Sequence, residues 1–315
     1  MEVQVLSSAW ARAFAPGFRL DVPSGLRWWR SQPGGADWLA RLPRLVAECA
    51  ELWGLEVDAA YAGSHVSLVA PATLADGRRA VLKINFPDPE SEHEPDALAH
   101  WDGRGAVRLL ASDRERRALL VERCEPGTGL WEVANEEEAY SIAAGVLRRL
   151  WRPASPVHPF RPLVDEAESW AEELPVVWEQ LGRPFERGLV EQAVAWARDL
   201  GSSQSDPVVL HQDYHGGNVL RAEREPWLAI DPKPLVGERE FDAASLLRDR
   251  REELVRAPNP RGRVARRLDQ LTRELQLDRE RMRGWGVVHA LAWGVSGIGK
   301  VEEDMVACAR WLAES

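Results

Sequence analysis

The sequence predicts an α+β chain in two parts, a small and mainly antiparallel sheet followed by a larger helical body. Three observations carry this. Between Val57 and Glu122 the apolar residues fall in short runs separated by turn residues, with Asp76-Gly77 as a hairpin signal. From Trp131 onward the apolar spacing becomes helical, as in Ala139, Ile142, Ala143, Val146, Leu147 and Leu150. The 315 residues are 45% hydrophobic, which suits a sizeable core in one large domain or two small ones. The boundaries this implies are an N-terminal arm over 1–36, a sheet-bearing part over 37–125 and a helical part over 126–315.

Residues 1–36 are rich in Pro, Gly, Arg and Trp and read as an irregular arm with room for one short helix. Ala36–Trp53 has apolar residues at helical spacing, and Gly54 is a C-terminal stop. Strands are expected over Val57–Tyr61, Val66–Pro71, Ala80–Phe86, Val107–Ala111 and Ala118–Glu122. Gly63-Ser64-His65 falls between the first two, with a single glycine. It reads as a simple turn or as a turn whose N–H groups cradle phosphate. Helices are expected over Glu136–Trp151, Val164–Leu181, Phe185–Leu200 (bounded by Gly201), from Gly237 through Arg250, Val264–Leu277, Arg279–Trp293 and Val301–Ala313.

The stretch Val208–Leu220, followed by Trp227–Pro234, concentrates the chemistry. Two short apolar runs each end near a carboxylate, Asp213 and Asp231, with Gly216, Gly217 and Asn218 between them. The pattern His211-x-Asp213-x-x-x-x-Asn218, then Asp231, has the shape of a kinase catalytic loop and metal loop. A carboxylate is needed to accept the proton of an attacking hydroxyl. An amide oxygen and a second carboxylate are hard ligands suited to magnesium. The two glycines are expected to let the loop turn tightly. Of the 40 Lys and Arg residues only Lys83, Lys233 and Lys300 are lysines. A position kept as lysine on such a background points to a need for a compact ammonium charge.

The segment resembles the aminoglycoside phosphotransferase family, whose catalytic loop usually reads His-Gly-Asp-(Leu/Phe)-His-x-x-Asn. Arg224–Gly237 is similar in particular to the streptomycin 6-kinase and hydroxyurea-kinase branch. The resemblance runs from about Asp37 to the C-terminus and is most specific in the second half. It implies a two-lobed protein-kinase-like fold with the site in a cleft between lobes. It implies transfer of the γ-phosphoryl group of ATP to a hydroxyl of a small molecule, an aminoglycoside such as streptomycin or else hydroxyurea. Asp213 would then be catalytic, and Asn218 and Asp231 would hold Mg2+. Lys83 would contact the nucleotide phosphates and pair with Glu90, Glu92 or Glu94, of which Glu94 matches best. Ser91-x-x-Glu94 is equally a helix-capping box, and Pro95 is a departure from the family pattern. Gly63 and Ser64 would cover phosphate, and the backbone of Glu122 to Cys124 would bind adenine, although ordinary strand describes it as well. Asp242 would brace the catalytic loop. Gln212 and Tyr214 replace the usual Gly and Leu/Phe. The role of His215 stays open, and Lys233 would contact phosphate or pair with an acid such as Glu238.

Composition narrows the partners. A formal net charge of −10 disfavours nucleic acid and anionic membranes and is compatible with a polycationic acceptor or with plain solubility. The acidic run Asp165, Glu166, Glu168, Glu172 and Glu173 reads as a polycation pocket or a solvated helix face. Cys49, Cys124 and Cys308 have neither disulfide nor zinc spacing, in keeping with a cytoplasmic setting. No leader and no membrane span is legible. Two readings of other classes stand beside the kinase: a metal-dependent hydrolase on His211, Asp213 and His215, and a catalytically silent nucleotide-binding pseudokinase.

Overall fold

A computed structural model describes residues 21–295 and 300–315. The reading that no leader is present rests on the first five residues and lies outside that range. Chain contacts define two compact units. One runs to Gly103 and includes Val107–Cys124; the other holds Arg104–Ala106 and Glu125–Ser315.

In the first unit, β1 (Leu55–Val57), β2 (Leu68–Leu74), β3 (Arg79–Ile84), β4 (Leu109–Asp113) and β5 (Ala118–Glu122) form one antiparallel sheet in the order β1-β2-β3-β5-β4. The β2–β3 turn is the Asp76-Gly77 pair, with Gly77 at φ +83° and the Asp76 carboxylate accepting the Arg78 N–H at 3.0 Å. Helix α1 (Gly35–Trp53) ends at Gly54, which takes a left-handed φ of +63° and donates to Ala50 O. Its Trp38, Leu42, Val46 and Cys49 are buried in one core with Leu68, Leu82 and Ile84 of the sheet. The described part of the expected arm holds the one short helix for which it has room. Ser24–Ser31 is a 3-10 helix whose Leu26 and Trp29 join that core, with Trp29 stacked on Phe86 at 3.8 Å. A run this short repeats every three residues, so a search for a 3.6-residue period passes over it.

Helix α2 (Glu94–Trp101) carries Pro95 in its first turn, where proline is tolerated because those N–H groups have no helical partner. The capping-box alternative does not form. Ser91 Oγ instead donates to Asp88 Oδ2 at 2.7 Å, and the Glu94 side chain points elsewhere.

The second unit contains α3 (Glu136–Leu150), α4 (Leu163–Gln180), α5 (Arg187–Ser202), α6 (Arg239–Ala244), α7 (Arg251–Val255), α8 (Pro260–Leu275), α9 (Arg279–Val295) and α10 (Glu303–Ala313). Helix α9 packs against α5, α6 and α10 and is buried along most of its length. Gly201 does not bound α5. It lies inside the helix, where a Cβ would come within 3.1 Å of Ala167 on α4, so it serves close helix packing. Two small sheets interrupt the helices. One has the order β6 (Arg161–Pro162), β10 (Leu235–Gly237), β7 (Val208–Leu210); the other is the hairpin β8 (Val219–Arg221) with β9 (Trp227–Ala229).

The continuous helix expected through Arg250 is broken. α6 stops at Ala244, a 3-10 turn covers Ser245–Arg248, Asp249 is extended, and Arg250 has φ +50°. The cause is tertiary. Asp249 and Arg250 turn away from the helix to bond Gly216, Trp131 and the carbonyls of Leu130 and Val133.

Candidate active site

The loop from His211 to Asn218 leaves β7, and the loop from Ile230 to Pro234 leaves β9. The hairpin joins them. Val219 pairs with Ala229, so Asn218 and Ile230 lie side by side, and Ile230 N–H donates to Asn218 O at 2.9 Å. That register brings Asn218 and Asp231 together although thirteen positions separate them in the chain. A second tie runs from Lys233 N–H to His211 O at 3.0 Å, and a third from His211 Nε2 to Ile230 O at 2.9 Å. His211 is fully buried, and burial holds its imidazole below its ordinary range, so it is a neutral brace.

Buried Asp242 supports the same loop. Its carboxylate accepts the N–H of His211 at 3.0 Å, of Gln212 at 2.9 Å and Trp151 Nε1 at 3.1 Å. Burial pushes its carboxyl up, and the N–H donors act against that shift. Gln212 has φ +64°, a left-handed conformation that favours glycine and accounts for the usual family residue at this position. Tyr214 is buried and donates its hydroxyl to Ala143 O at 2.9 Å, so here it is a core residue.

Asp213 is held at the mouth of this loop. Its Oδ1 lies 3.7 Å from His215 Nε2 and its Oδ2 3.9 Å from Lys233 Nζ. His215 Nδ1 accepts the Gly217 N–H at 3.1 Å, which leaves Nε2 to carry the proton of the neutral ring and to face Asp213. Lys233 does not pair with Glu238, whose carboxylate is bound by Arg281 at 2.7 Å and by Trp285. Instead its ammonium lies over the Trp293 ring at 5.0 Å, beside the guanidinium of buried Arg248 at 5.1 Å over the same ring. Arg248 Nε donates to His289 Nδ1 at 3.1 Å.

Asn218 Nδ2 donates to Asp213 O at 3.0 Å, so its amide is oriented with the carbonyl oxygen facing away from that bond. This oxygen and the Asp231 carboxylate are hard donors of the kind magnesium takes, on residues that the hairpin register brings near each other in the backbone. The hydrolase alternative does not fit. Among the described residues no three His, Cys, Asp or Glu side chains converge as metal ligands, and His211 spends Nε2 on a carbonyl.

The glycines serve a different need from the one expected. Neither Gly216 nor Gly217 has a positive φ. A Cβ on Gly216 would meet Trp131 Cδ1 at 2.6 Å, and one on Gly217 would meet Trp131 Cη2 at 2.8 Å. They are small so that an indole can lie on them. Trp131 and Asp249 were not legible as site residues. One follows a Gly-Thr-Gly segment, the other sits in an Arg-Asp-Arg run, and neither signal is specific.

In the first unit Lys83 Nζ meets both Glu94 oxygens at 2.7 Å, and Asn85 Nδ2 donates to Glu94 Oε2 at 2.8 Å. Lys83 lies on β3 opposite Val69 and Leu119, and both members of the pair are buried. Glu92 points to Arg117 at 3.8 Å. Gly63 has open space around it, while Ser64 is buried with its N–H on Tyr61 O. Glu122 N–H donates to Arg108 O at 3.0 Å, which takes that amide out of the set able to read an adenine edge. Cys124 is buried. The acidic run on α4 is mainly a solvated face, with Glu168 paired to Arg198 and Glu166 to Arg161.

Comparison with known proteins adds a family to this geometry. The family described as aminoglycoside/hydroxyurea antibiotic resistance kinase matches residues 52–303. The chain is 38% identical over 304 residues to a streptomycin 6-kinase of Streptomyces griseus, covering 94% of this chain and 98% of that one. It is 38% identical over 313 residues to a hydroxyurea phosphotransferase of Kitasatospora aureofaciens, covering 96% of this chain and 88% of that one. A crystal structure of a choline kinase from Streptococcus pneumoniae shares the fold, with a TM-score of 0.61 at 14% identity, over 87% of this chain and 100% of that one.

Proposed function

The chain belongs to the aminoglycoside/hydroxyurea antibiotic resistance kinases, and on that premise we propose that it transfers the γ-phosphoryl group of ATP to a hydroxyl of streptomycin, inactivating the antibiotic. The observation that supports the reading is the β8–β9 hairpin, whose register makes Asn218 a neighbour of Ile230, one residue before Asp231, while the Asn218 amide bonds the Asp213 carbonyl.

In this reading Asp213 orients the acceptor hydroxyl and takes its proton late, so an ordinary carboxylate suffices. The Asn218 carbonyl oxygen and Asp231 hold Mg2+, which when bound neutralises charge on the nucleotide phosphates. Lys83, fixed by Glu94, steadies those phosphates. Gly63, with open space around it, covers them, whereas Ser64 spends its N–H within the turn, and the backbone of Arg123 and Cys124 serves the base. Lys233, near Asp213 and away from Glu238, offers its charge to the phosphoryl group in transfer. Positioning and charge neutralisation supply most of the acceleration. The setting is the cytoplasm, where ATP is available, and the three buried cysteines form no disulfide. The partners are small hydroxylated molecules, polycationic in the case of streptomycin, with no role for nucleic acid or membrane. Among the described residues no helix is long and apolar enough to cross a membrane.

Hydroxyurea is the second reading, supported by the 38% identical phosphotransferase. A silent pseudokinase, suggested by the single glycine of the Gly63-Ser64-His65 turn and by Pro95, loses the second of these supports, because Pro95 sits harmlessly in the first turn of α2 and the Lys83–Glu94 pair is formed. The test is ADP release from Mg·ATP with streptomycin, kanamycin and hydroxyurea, followed by phosphorus NMR of the product. Stimulation by streptomycin with one new phosphate ester is expected. Stimulation by hydroxyurea alone would transfer the assignment to the second reading, and stimulation by neither would remove both.

A further inference from the structure

Trp131 is fixed on the loop that carries Asp213, through Asp249 and His215, and yet remains 48% exposed. Its Nε1 donates to Asp249 Oδ1 at 2.6 Å. Asp249 is itself buried, with Oδ2 on the Gly216 N–H at 2.9 Å and its carbonyl on Arg267 Nη1 at 2.7 Å. The indole stacks on the His215 ring at 5.0 Å and 16° and rests on Gly216 and Gly217. Its polar edge is satisfied, and the ring keeps this exposure although His215 and the two glycines lie against it. Asp213, His215 and Trp131 therefore form a row, from carboxylate to imidazole to a flat apolar surface open to solvent. The loop gives up side chains at two successive positions, 216 and 217, to seat this ring.

Among the relatives at 38–40% identity two acceptors are named, streptomycin at position 6 and hydroxyurea. They differ in size and charge but share one feature. In hydroxyurea the hydroxyl is carried directly on a urea nitrogen. In streptomycin the 6-hydroxyl is on a ring carbon next to one that bears a guanidinium. Each therefore presents a planar, nitrogen-rich π-group beside the accepting oxygen. Such a group stacks on an indole, by cation–π attraction when it is charged.

We infer that Trp131 is the acceptor platform of this site. The substrate class is hydroxyl compounds with a planar guanidine or urea group adjacent to the hydroxyl. Asp213 takes the hydroxyl and Trp131 takes the neighbouring plane, which together fix which hydroxyl is presented. Asp249 acts through Trp131 as a positioning residue. The inference rests on the phosphotransferase reading and specifies what that reading recognises.

The test uses the full chain with saturating Mg·ATP and measures transfer to streptomycin, to streptidine, to myo-inositol (the same kind of ring without guanidines) and to kanamycin, whose nitrogens are amines. The wild type is expected to use streptomycin and streptidine and neither of the others. Trp131→Leu is expected to raise the streptomycin KM about tenfold, and Trp131→Phe, which keeps a flat face, only about threefold. The KM for Mg·ATP should stay within about twofold in both variants, a split that a general loss of structure would not give. Wild-type acceptor KM in Trp131→Leu, or equal use of kanamycin by the wild type, would overturn the platform and leave the phosphotransferase standing. Transfer by the wild type to none of these acceptors and not to hydroxyurea either would remove the phosphotransferase reading and the platform with it. Should Trp131→Leu fail to fold, Trp131→Phe and the wild-type acceptor series still decide between these results.

Discussion

Lys83 and Glu94 are 8% and 2% exposed at their side chains and meet at 2.7 Å, so neither charge has water to fall back on. Removing one partner leaves the other charge buried beside Asn85. Glu94→Ala is therefore expected to destabilise the chain by about 3 kcal/mol in urea unfolding and to raise the KM for Mg·ATP. Unchanged stability would show that the pair is not formed in solution. Residue types at this scale were largely legible: scarcity of lysine singled out Lys83 and Lys233, and spacing singled out Asp213, Asn218 and Asp231. What stayed hidden was the partner each side chain meets. Lys233 faces Asp213 and Trp293 rather than Glu238, and Gly216 and Gly217 are small because of Trp131, a residue 85 positions away from the first of them. No local pattern encodes contacts at that separation.

The elements show the same division. Most strands of the first sheet, the Asp76-Gly77 turn and most amphipathic helices follow from periods of 2 and 3.6. The strand expected over Val57–Tyr61 falls instead on Leu55–Val57, and the two- and three-residue strands β6 to β10 are too short to show a period. The helix expected to reach Arg250 breaks because Asp249 and Arg250 have better partners outside it. The 3-10 helix over Ser24–Ser31 is the one short helix for which the arm has room, although its place within the arm is not legible from period. That short helix braces the Gly63-Ser64-His65 turn. Trp28 Nε1 donates to His65 O at 2.7 Å, Trp29 Nε1 to Val66 O at 3.0 Å, and a Cβ on Gly25 would come within 2.3 Å of Ser64 O. The clash is with backbone, which cannot yield as a flexible side chain can. Gly25→Ala is thus expected to lower stability by about 1–3 kcal/mol and to raise the KM for Mg·ATP with little change in that for the acceptor. A thermal melt that matches the wild type would show that the helix does not seat against the turn.

On the scale of the whole molecule, burial sets the response to pH. His289 is fully buried, and burial together with the nearby charges of Arg248 and Lys233 holds its imidazole well below its ordinary range. Facing it are Arg248, whose Nε it accepts, and the rings of Trp170, Phe241 and Trp293. The unfolded chain takes up a proton here below about pH 6.5 that the folded chain refuses, so stability is complete above that pH and falls below it. The slope is about 1.4 kcal/mol per pH unit for such a histidine. Melting temperatures between pH 7.5 and 5 should decline, and His289→Gln, which keeps an acceptor for Arg248 without the titration, should flatten the curve. An identical slope in the variant would assign the pH response to other groups. The account as a whole turns on Asp213, and the most direct measurement is phosphoryl transfer from labelled ATP to streptomycin by the wild type and by Asp213→Asn. Efficient transfer by the wild type and a loss of about a thousandfold in kcat for the variant, with ATP binding retained, is the predicted result. A variant that transfers phosphate at the wild-type rate would contradict the assignment at its centre.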